Sequence, residues 1–507
     1  MTSRRRSTER RLRAACLGLA LALPLGCSAS SHTPAGGAGT SGSGAGGASP
    51  SFGGDLTVAT ANGRCHDGSL KCRKVDCPAD SSPSTTSVSG VVYDPAGRVP
   101  LYNAVVYVVN PDTDLHALGQ RVQCEDCSAN FPPSATAVTL SGADGSFRLT
   151  DMPTGKDVPL IVQLGKWRRV VSIPYVAPCT DTPLPRELTR LPRNSSEGSL
   201  PKIAVTTGGS DALECLLKKI GVDVDEFTPD SGDGRVNLFA GYGAAKAMVS
   251  RGASVPLRPA EELWADANRM LDYDMLLMGC EGDDNLWNPP TDSKFPPDAI
   301  ERPASMALEV RKYADLGGRI FGSHWHHRWI GSDNSTPDDP YPPVAVFAKT
   351  AKDIGDVTVS VDTTFPKGSA FSDWLVAVGA SATPGELSVV KAEHSVNSVD
   401  AKLARRWIFG TDPGGKPDSS RVPEMVQYFS FTTPVGEREC GRMVFSDVHV
   451  SFGGGAWAEK LFPERCSVSP DDELSPQEKA LEFMIFDLSS CIQKEDDEVS
   501  SPITVVK

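Results

Sequence analysis

Two hydrophobic patterns divide the chain. From about residue 86, short runs alternate apolar and polar positions and are punctuated by Gly, Asp and Pro, as in "SVSGVVYDPAGRVPLYNAVVYVVN" and "SGADGSFRLTDMPTGKDVPLIVQLGKWRRVVSIPYV". A period of two between such turns predicts half-buried strands, so residues 86–198 are expected to form an all-β sandwich. From 199 to about 495 the pattern changes. "PKIAVTTGG" reads as a buried strand, and "SDALECLLKKIG" has helical spacing with a Ser/Asp start and a glycine stop. "VNLFAG" and "YDMLLMGCEG" read as strands, "AEELWADANRMLDY" and "ERPASMALEVRKYADLGG" as helices, and the latter leads into "RIFGSHWHH". "VQYFSFTTP" and "GRMVFSDVHVS" follow as strands, and "SPQEKALEFMIFDLSSCI" as a closing amphipathic helix. Strand–helix alternation predicts an α/β, flavodoxin-like domain over 199–495, with a parallel sheet and helices on both faces. Within it, 331–420 is a Pro- and Asp-rich insertion with no readable pattern, and 496–507 is a tail.

Ahead of the sandwich the chain opens on "MTSRRRSTERRLR", followed by the apolar "AACLGLALALPLG" ending in small residues. That order is a secretory signal over 1–26, and its apolar run is too short to span a bilayer. Residues 27–54 are nearly all Ser, Gly, Ala, Thr and Pro, a composition that forms a flexible tether rather than a core. Residues 55–85 bear cysteines and show no periodicity. A chain of 507 residues is too long for one core, which predicts two or three domains. Its formal net charge is −14, without a basic stripe, so nucleic acid is not an expected partner.

Export changes the reading of the cysteines. Of 13, removal of Cys16 and Cys27 leaves 11, an odd number in an oxidising compartment, so several disulfides and at least one thiol are expected. The Cys124-x-x-Cys127 pair has no second CxxC beside it and is expected to staple a loop rather than bind zinc or carry redox chemistry.

Candidate chemistry lies at the strand ends, where open α/β sheets bind their ligands. One strand runs into Cys280, Glu281, Asp283 and Asp284; a second into Ser323, His324, His326 and His327; a third into Ser446, Asp447, His449 and Ser451. Three of the eight histidines thus fall within four positions, beside Trp325 and Trp329. Imidazoles and carboxylates are ligands for zinc or another divalent metal. His324 and His326 point the same way in an extended chain, His449 and Asp447 complete a set, and Glu281 serves as base for a bound water. No spacing-specific metal motif accompanies them. In an alternative scheme Ser323 is the nucleophile, His449 its base and Asp447 the orienting group, without a G-x-S-x-G elbow. Cys280 is either a nucleophile or a packed thiol. In the remaining alternative Cys280, Trp325, Trp329 and His327 line a ligand pocket without catalysis, or the histidines only pack a rim. "DVDEFTPDSGDG" at 223–234 does not fit calcium-loop spacing.

Several stretches resemble known families. "LPLGC" resembles the lipobox of bacterial lipoproteins, which implies a lipid-modified Cys27 and a membrane anchor, on the periplasmic side of an outer membrane or at the cell surface. Residues 85–175 resemble the carboxypeptidase regulatory-like domain, a transthyretin-like β-sandwich, at Asp94, Gly97, Pro100 to Ala104, Asp144, Gly145, Phe147, Leu149, Pro153 and Gly155. The resemblance implies a fold and no peptidase activity. "YDMLLMGCEG", "YADLGGRIFGSHWHH" and "GRMVFSDVHVS" resemble the class I glutamine amidotransferase-like superfold and, within it, the ThuA-like branch. True amidotransferases place a nucleophilic cysteine where this chain has Ser323-His324, and a His-x-Glu where it has His449-Val450-Ser451. Glutaminase activity is therefore not expected, and a carbohydrate ligand is implied by the ThuA-like resemblance alone. The sequence leads to a cell-envelope lipoprotein binding a carbohydrate or other envelope ligand; the alternatives are a metal-assisted hydrolase and a purely structural protein.

Overall fold

The computed structural model describes residues 69–505, except 114, 116, 120, 123, 125–129, 283–301, 332–338, 349–352, 418, 451–459, 467–472 and 494. The expected signal peptide, Cys27, the linker and residues 55–68 lie outside the described residues, as do Cys65, Cys127, Asp283, Asp284 and Ser451.

The alternating segment builds two sheets. Strands β1 (Ser87–Val91), β4 (Ser146–Thr150) and β7 (Asp181–Pro183) form one, in the order β4-β1-β7. Strands β2 (Val105–Val108), β3 (Ala137–Leu140), β5 (Gly155–Leu164) and β6 (Trp167–Val176) form the other, in the order β3-β2-β5-β6. Because successive side chains point to opposite faces, Val88, Phe147 and Leu149 of the first sheet meet Val106, Val108, Val158, Leu160 and Val162 of the second in one apolar cluster.

The remainder builds a ten-stranded sheet. Its strands are β8 (Ile203–Thr207), β9 (Phe227–Pro229), β10 (Val236–Ala240), β11 (Met275–Met278), β12 (Arg319–Ser323), β13 (Asp353–Val361), β14 (Glu386–Glu393), β15 (Arg405–Thr411), β16 (Glu424–Thr433) and β17 (Gly441–Ser446). They lie in the order β9-β10-β8-β11-β12-β17-β16-β15-β13-β14. The first six are parallel, and from β16 onward every pairing is antiparallel. The wholly parallel sheet expected from the sequence is therefore corrected to a mixed one. The unreadable insertion supplies β13, β14 and β15; the end of β13 and much of β14 alternate between buried and exposed side chains, whereas β11 is buried throughout.

Alternate residues of the parallel strands feed two cores. Val205, Leu277, Phe321 and Val444 join α1 (Leu213–Lys219), α5 (Pro366–Ala377) and α6 (Pro476–Ser489). Ala204, Leu276, Ile320 and Phe445 join α2 (Ala260–Trp264), α3 (Ala267–Met270) and α4 (Ala304–Asp315) on the opposite face. The single helix expected over "AEELWADANRMLDY" is broken into α2 and α3, because Asp266 leaves the helical conformation and caps α3 by accepting from Asn268 N. Helix α6 starts on a full capping box between Ser475 and Glu478. After α4 the chain turns through Gly317 at φ 113°, and a side chain at Gly318 would run into the Tyr313 ring, so the glycine pair lets β12 start directly under the helix.

The sandwich packs on the first of these faces: Trp374 Nε1 donates to Pro100 O at 2.7 Å, and Tyr102 stacks on Phe483. The described residues form one compact unit. Among the described residues three disulfides tie distant segments, Cys77–Cys179, Cys124–Cys440 and Cys215–Cys466. Cys124 thus pairs across 316 residues, which corrects the expected Cys124–Cys127 staple.

Candidate functional site

Parallel strands end at one edge, so the residues after β8, β11, β12 and β17 become neighbours there. The approach is close: a side chain on Gly208, just past β8, would collide with the Cys280 carbonyl. Cys280 follows β11, His324 follows β12 and His449 follows β17, and one ligand-capable atom of each lies within 4.8 Å of the others. Cys280 Sγ stands 3.4 Å from His324 Nδ1, and the rings of His324 and His449 meet edge to face at 5.1 Å. All three residues are buried, yet Nε2 of His324 and Nε2 of His449 have no hydrogen-bond partner.

A fourth group comes from the part of the chain that was unreadable in sequence. Beyond β14 the chain turns back over the sheet, where Val396–Val399 pairs with Ala345–Phe347. Glu393, the last residue of β14, brings Oε2 to 3.8 Å from His324 Nε2, and Ser395 N donates to Asp447 Oδ2 at 2.7 Å. Glu393 is missing from the sequence-based set. The only local signal, "EHS" inside an alternating run, is indistinguishable from a surface strand.

Not every expected residue joins this group. The turn after β12 is a 3-10 helix, His324–Trp329, not an extended chain. Side chains three apart eclipse one another in such a turn, so His324 and His326 diverge. His326 Nε2 meets Gly279 O at 3.0 Å and its Nδ1 accepts from Trp329 Nε1 at 2.7 Å. Both ring nitrogens are occupied, which removes His326 from the metal set expected from sequence. Trp329 is fully buried beside Trp264 and belongs to the core rather than to a pocket. His327 stacks on Phe347, while Trp325, half-buried, lies against His324.

The serine scheme is not assembled. Ser323 Oγ donates to Asp211 Oδ2 at 2.8 Å, and the Asp447 carboxyl is held by the Ser395 backbone. Among the described residues no hydrogen bond joins Ser323 to His449 or His449 to Asp447. Glu281 is no free base either. Arg302 grips it with both guanidinium nitrogens at 2.5 and 2.8 Å, shares itself with Glu261, and stacks over Trp264. The sharp backbone position at the end of β12 is taken by His324, at φ 45°, a left-handed conformation that is costly for a residue with a Cβ.

Burial dominates the electrostatics. It holds the His324 imidazole well below its usual range, helped by His449 and His327 nearby, and lowers His449 to about 4. Both rings are neutral at pH 7, the form that ligates a metal. Burial likewise pushes the Cys280 thiol up, so without a cation beside it the sulfur keeps its proton. Desolvation, with Asp447 and Asp353 close by, raises Glu393 to about 8, and desolvation raises Asp447 to about 7. A carboxyl that titrates near neutrality can give or take a proton under ordinary conditions.

No protein-family profile matches the chain, and no curated protein does. Solved structures do. A ThuA-like protein from Bacteroides uniformis is 12% identical over 52% of this chain and 86% of its own, at a TM-score of 0.26. A cytoplasmic protein from Salmonella typhimurium is 12% identical over 57% of this chain and 98% of its own, at 0.25. A ThuA-like protein from Parabacteroides merdae is 12% identical over 58% of this chain and 91% of its own, at 0.28. Likenesses of that distance assign no activity.

Proposed function

We propose that this chain is an exported cell-envelope lipoprotein, anchored through Cys27, whose α/β domain binds a carbohydrate or another envelope ligand at the edge of its large sheet. The observation that carries the ligand reading is the set of unpartnered polar atoms brought to that edge, His324 Nε2, His449 Nε2 and Asp447 Oδ1, beside the half-buried Trp325. Buried polar atoms are costly unless something meets them, and an indole face suits a sugar ring. Export is supported by the basic-then-apolar start with its "LPLGC", and three disulfides accord with an oxidising compartment. The two sheets of 86–198 serve as a carboxypeptidase regulatory-like spacer or adhesion module, and the α/β part is ThuA-like. Glutaminase chemistry is not part of this reading, because Ser323 and His324 stand where that reaction needs a thiol.

A second reading, metal-assisted hydrolysis of an envelope polymer, is favoured by the proximity of Cys280, His324 and His449 and by Glu393 with its carboxyl raised to about 8. Two measurements test the leading reading. Titration of the detergent-solubilised full-length chain with a panel of mono- and oligosaccharides is expected to give saturable binding that Trp325→Ala weakens. Cells fed labelled palmitate are expected to label the chain but not Cys27→Ala. Absence of saturable binding across the panel removes the carbohydrate, and equal labelling of both proteins removes the anchor.

A further inference from the structure

We infer that Cys280, His324 and His449 form a mononuclear site for zinc or a similar divalent ion, with Glu393 orienting His324 as a ligand. This rests on the second reading above and replaces the ligand set expected from sequence: the thiol of Cys280 enters, while His326 and Asp447 leave.

The spacing is that of a first coordination sphere. Zinc–sulfur and zinc–nitrogen bonds of about 2.3 and 2.0 Å at a tetrahedral angle place the two ligand atoms about 3.5 Å apart. Cys280 Sγ and His324 Nδ1 already stand 3.4 Å apart. The third ligand lies within 4.8 Å of both, and its ring has an unpartnered Nε2, so a rotation of the imidazole closes the set. Its backbone is held in place independently, since Gln477 Nε2 donates to His449 O at 2.8 Å.

The surroundings are those of a ligand rather than a packing histidine. With Nδ1 on the metal, His324 carries its proton on Nε2, which faces Glu393 Oε2 at 3.8 Å. A carboxylate behind a ligating imidazole fixes its tautomer and raises its basicity. His326, two residues on, shows what a structural histidine looks like in the same turn: both nitrogens meet protein partners at 3.0 and 2.7 Å. The left-handed backbone at His324 aims its ring across the strand ends, and such strain collects where a site needs it. One thiolate and two imidazoles select zinc-like ions over magnesium or calcium. Three protein ligands also leave a position for water, the arrangement of catalytic rather than structural zinc.

The test uses the full-length chain, loaded with zinc, dialysed against metal-free buffer and assayed for metal content, and the same chain loaded with cobalt(II). The expected result is one zinc per chain, together with a thiolate-to-cobalt charge-transfer band in the near ultraviolet. Cys280→Ser should abolish that band and His324→Ala should weaken binding by at least roughly 100-fold, whereas Glu393→Gln keeps the metal but binds it roughly 10-fold to 100-fold more weakly. A wild-type chain without stoichiometric metal overturns the site. So does a cobalt spectrum lacking the thiolate band, or one unchanged in Cys280→Ser. Saccharide binding without metal would sink the ion and leave the pocket; stoichiometric zinc without saccharide binding would do the reverse.

Discussion

The Ser323 hydroxyl donates to Asp211 Oδ2 at 2.8 Å, while the other oxygen of Asp211 accepts from Val450 N at 3.2 Å. One buried carboxylate, just past β8, thereby ties the residue before His324 to the residue after His449. Ser323 is part of the frame that holds the two histidine-bearing turns, not a nucleophile awaiting a base.

Ser323→Ala is therefore expected to leave metal content and saccharide binding unchanged. It should cost stability, about 1–3 kcal/mol, because it strips a partner from a buried carboxylate. Denaturant unfolding measures the loss, and abolition of ligand or metal binding in this variant would restore the serine to a chemical role.

His324 and His326 should respond in opposite ways. His326→Ala removes the imidazole that meets Gly279 O and Trp329 Nε1 and empties space beside Trp264, so a stability loss of about 2–4 kcal/mol is expected with metal content intact. His324→Asn removes a ring whose Nε2 makes no hydrogen bond and keeps a residue type that tolerates the left-handed backbone, so stability should change by less than about 1 kcal/mol while metal is lost. Unfolding curves paired with metal assays on the two proteins separate the roles.

Cys124–Cys440 closes the chain across 316 residues, the longest of the three described spans. Cross-links of long loops restrict the unfolded state most, and their loss typically costs about 2–5 kcal/mol. Peptide mapping without reductant should recover the Cys124 and Cys440 peptides joined, and Cys440→Ala should unfold at lower denaturant. Recovery of Cys124 joined to Cys127 would contradict the pairing.

A buried acid pair at the seam between the sandwich and α6 predicts a loss of stability as pH rises from acid toward neutral values. Burial raises Asp94 to about 7 and raises Glu482 well above the usual carboxylate range; each also faces Arg98, and Lys479 and Glu478 lie near Glu482. Neither Glu482 oxygen has a hydrogen-bond partner. The folded chain keeps protons that the unfolded chain releases above about pH 4, so both contributions are fully present below that pH; that of Asp94 is lost as pH rises through about 7, and that of Glu482 as pH rises through its own raised range. Glu482→Gln removes one of the two ionisations. Its Tm relative to wild type should improve by several degrees between about pH 5 and about pH 8. A difference independent of pH would show that the pair does not titrate.

How much of this was legible in the sequence follows from how local each signal is. The interior strands β8, β11, β12 and β17 and the helices α1, α4 and α6 announce themselves through unbroken apolar runs or a 3.6-residue period, which need no knowledge of neighbours. The placement of His324 and His449 past strand ends was readable for the same reason. Which ring nitrogens remain available was not, because that depends on Gly279 O and Trp329 closing around His326 and on His324 Nε2 being left without a hydrogen bond. Glu393 arrives from a half-exposed strand at the far edge of the sheet, by a return path no periodicity encodes. Cys124 finds Cys440 only because the folded chain brings them together. The sequence by itself determined the local elements and the edge to search; tertiary structure decided the contacts across that edge, since burial and partner choice are set by residues tens to hundreds of positions away.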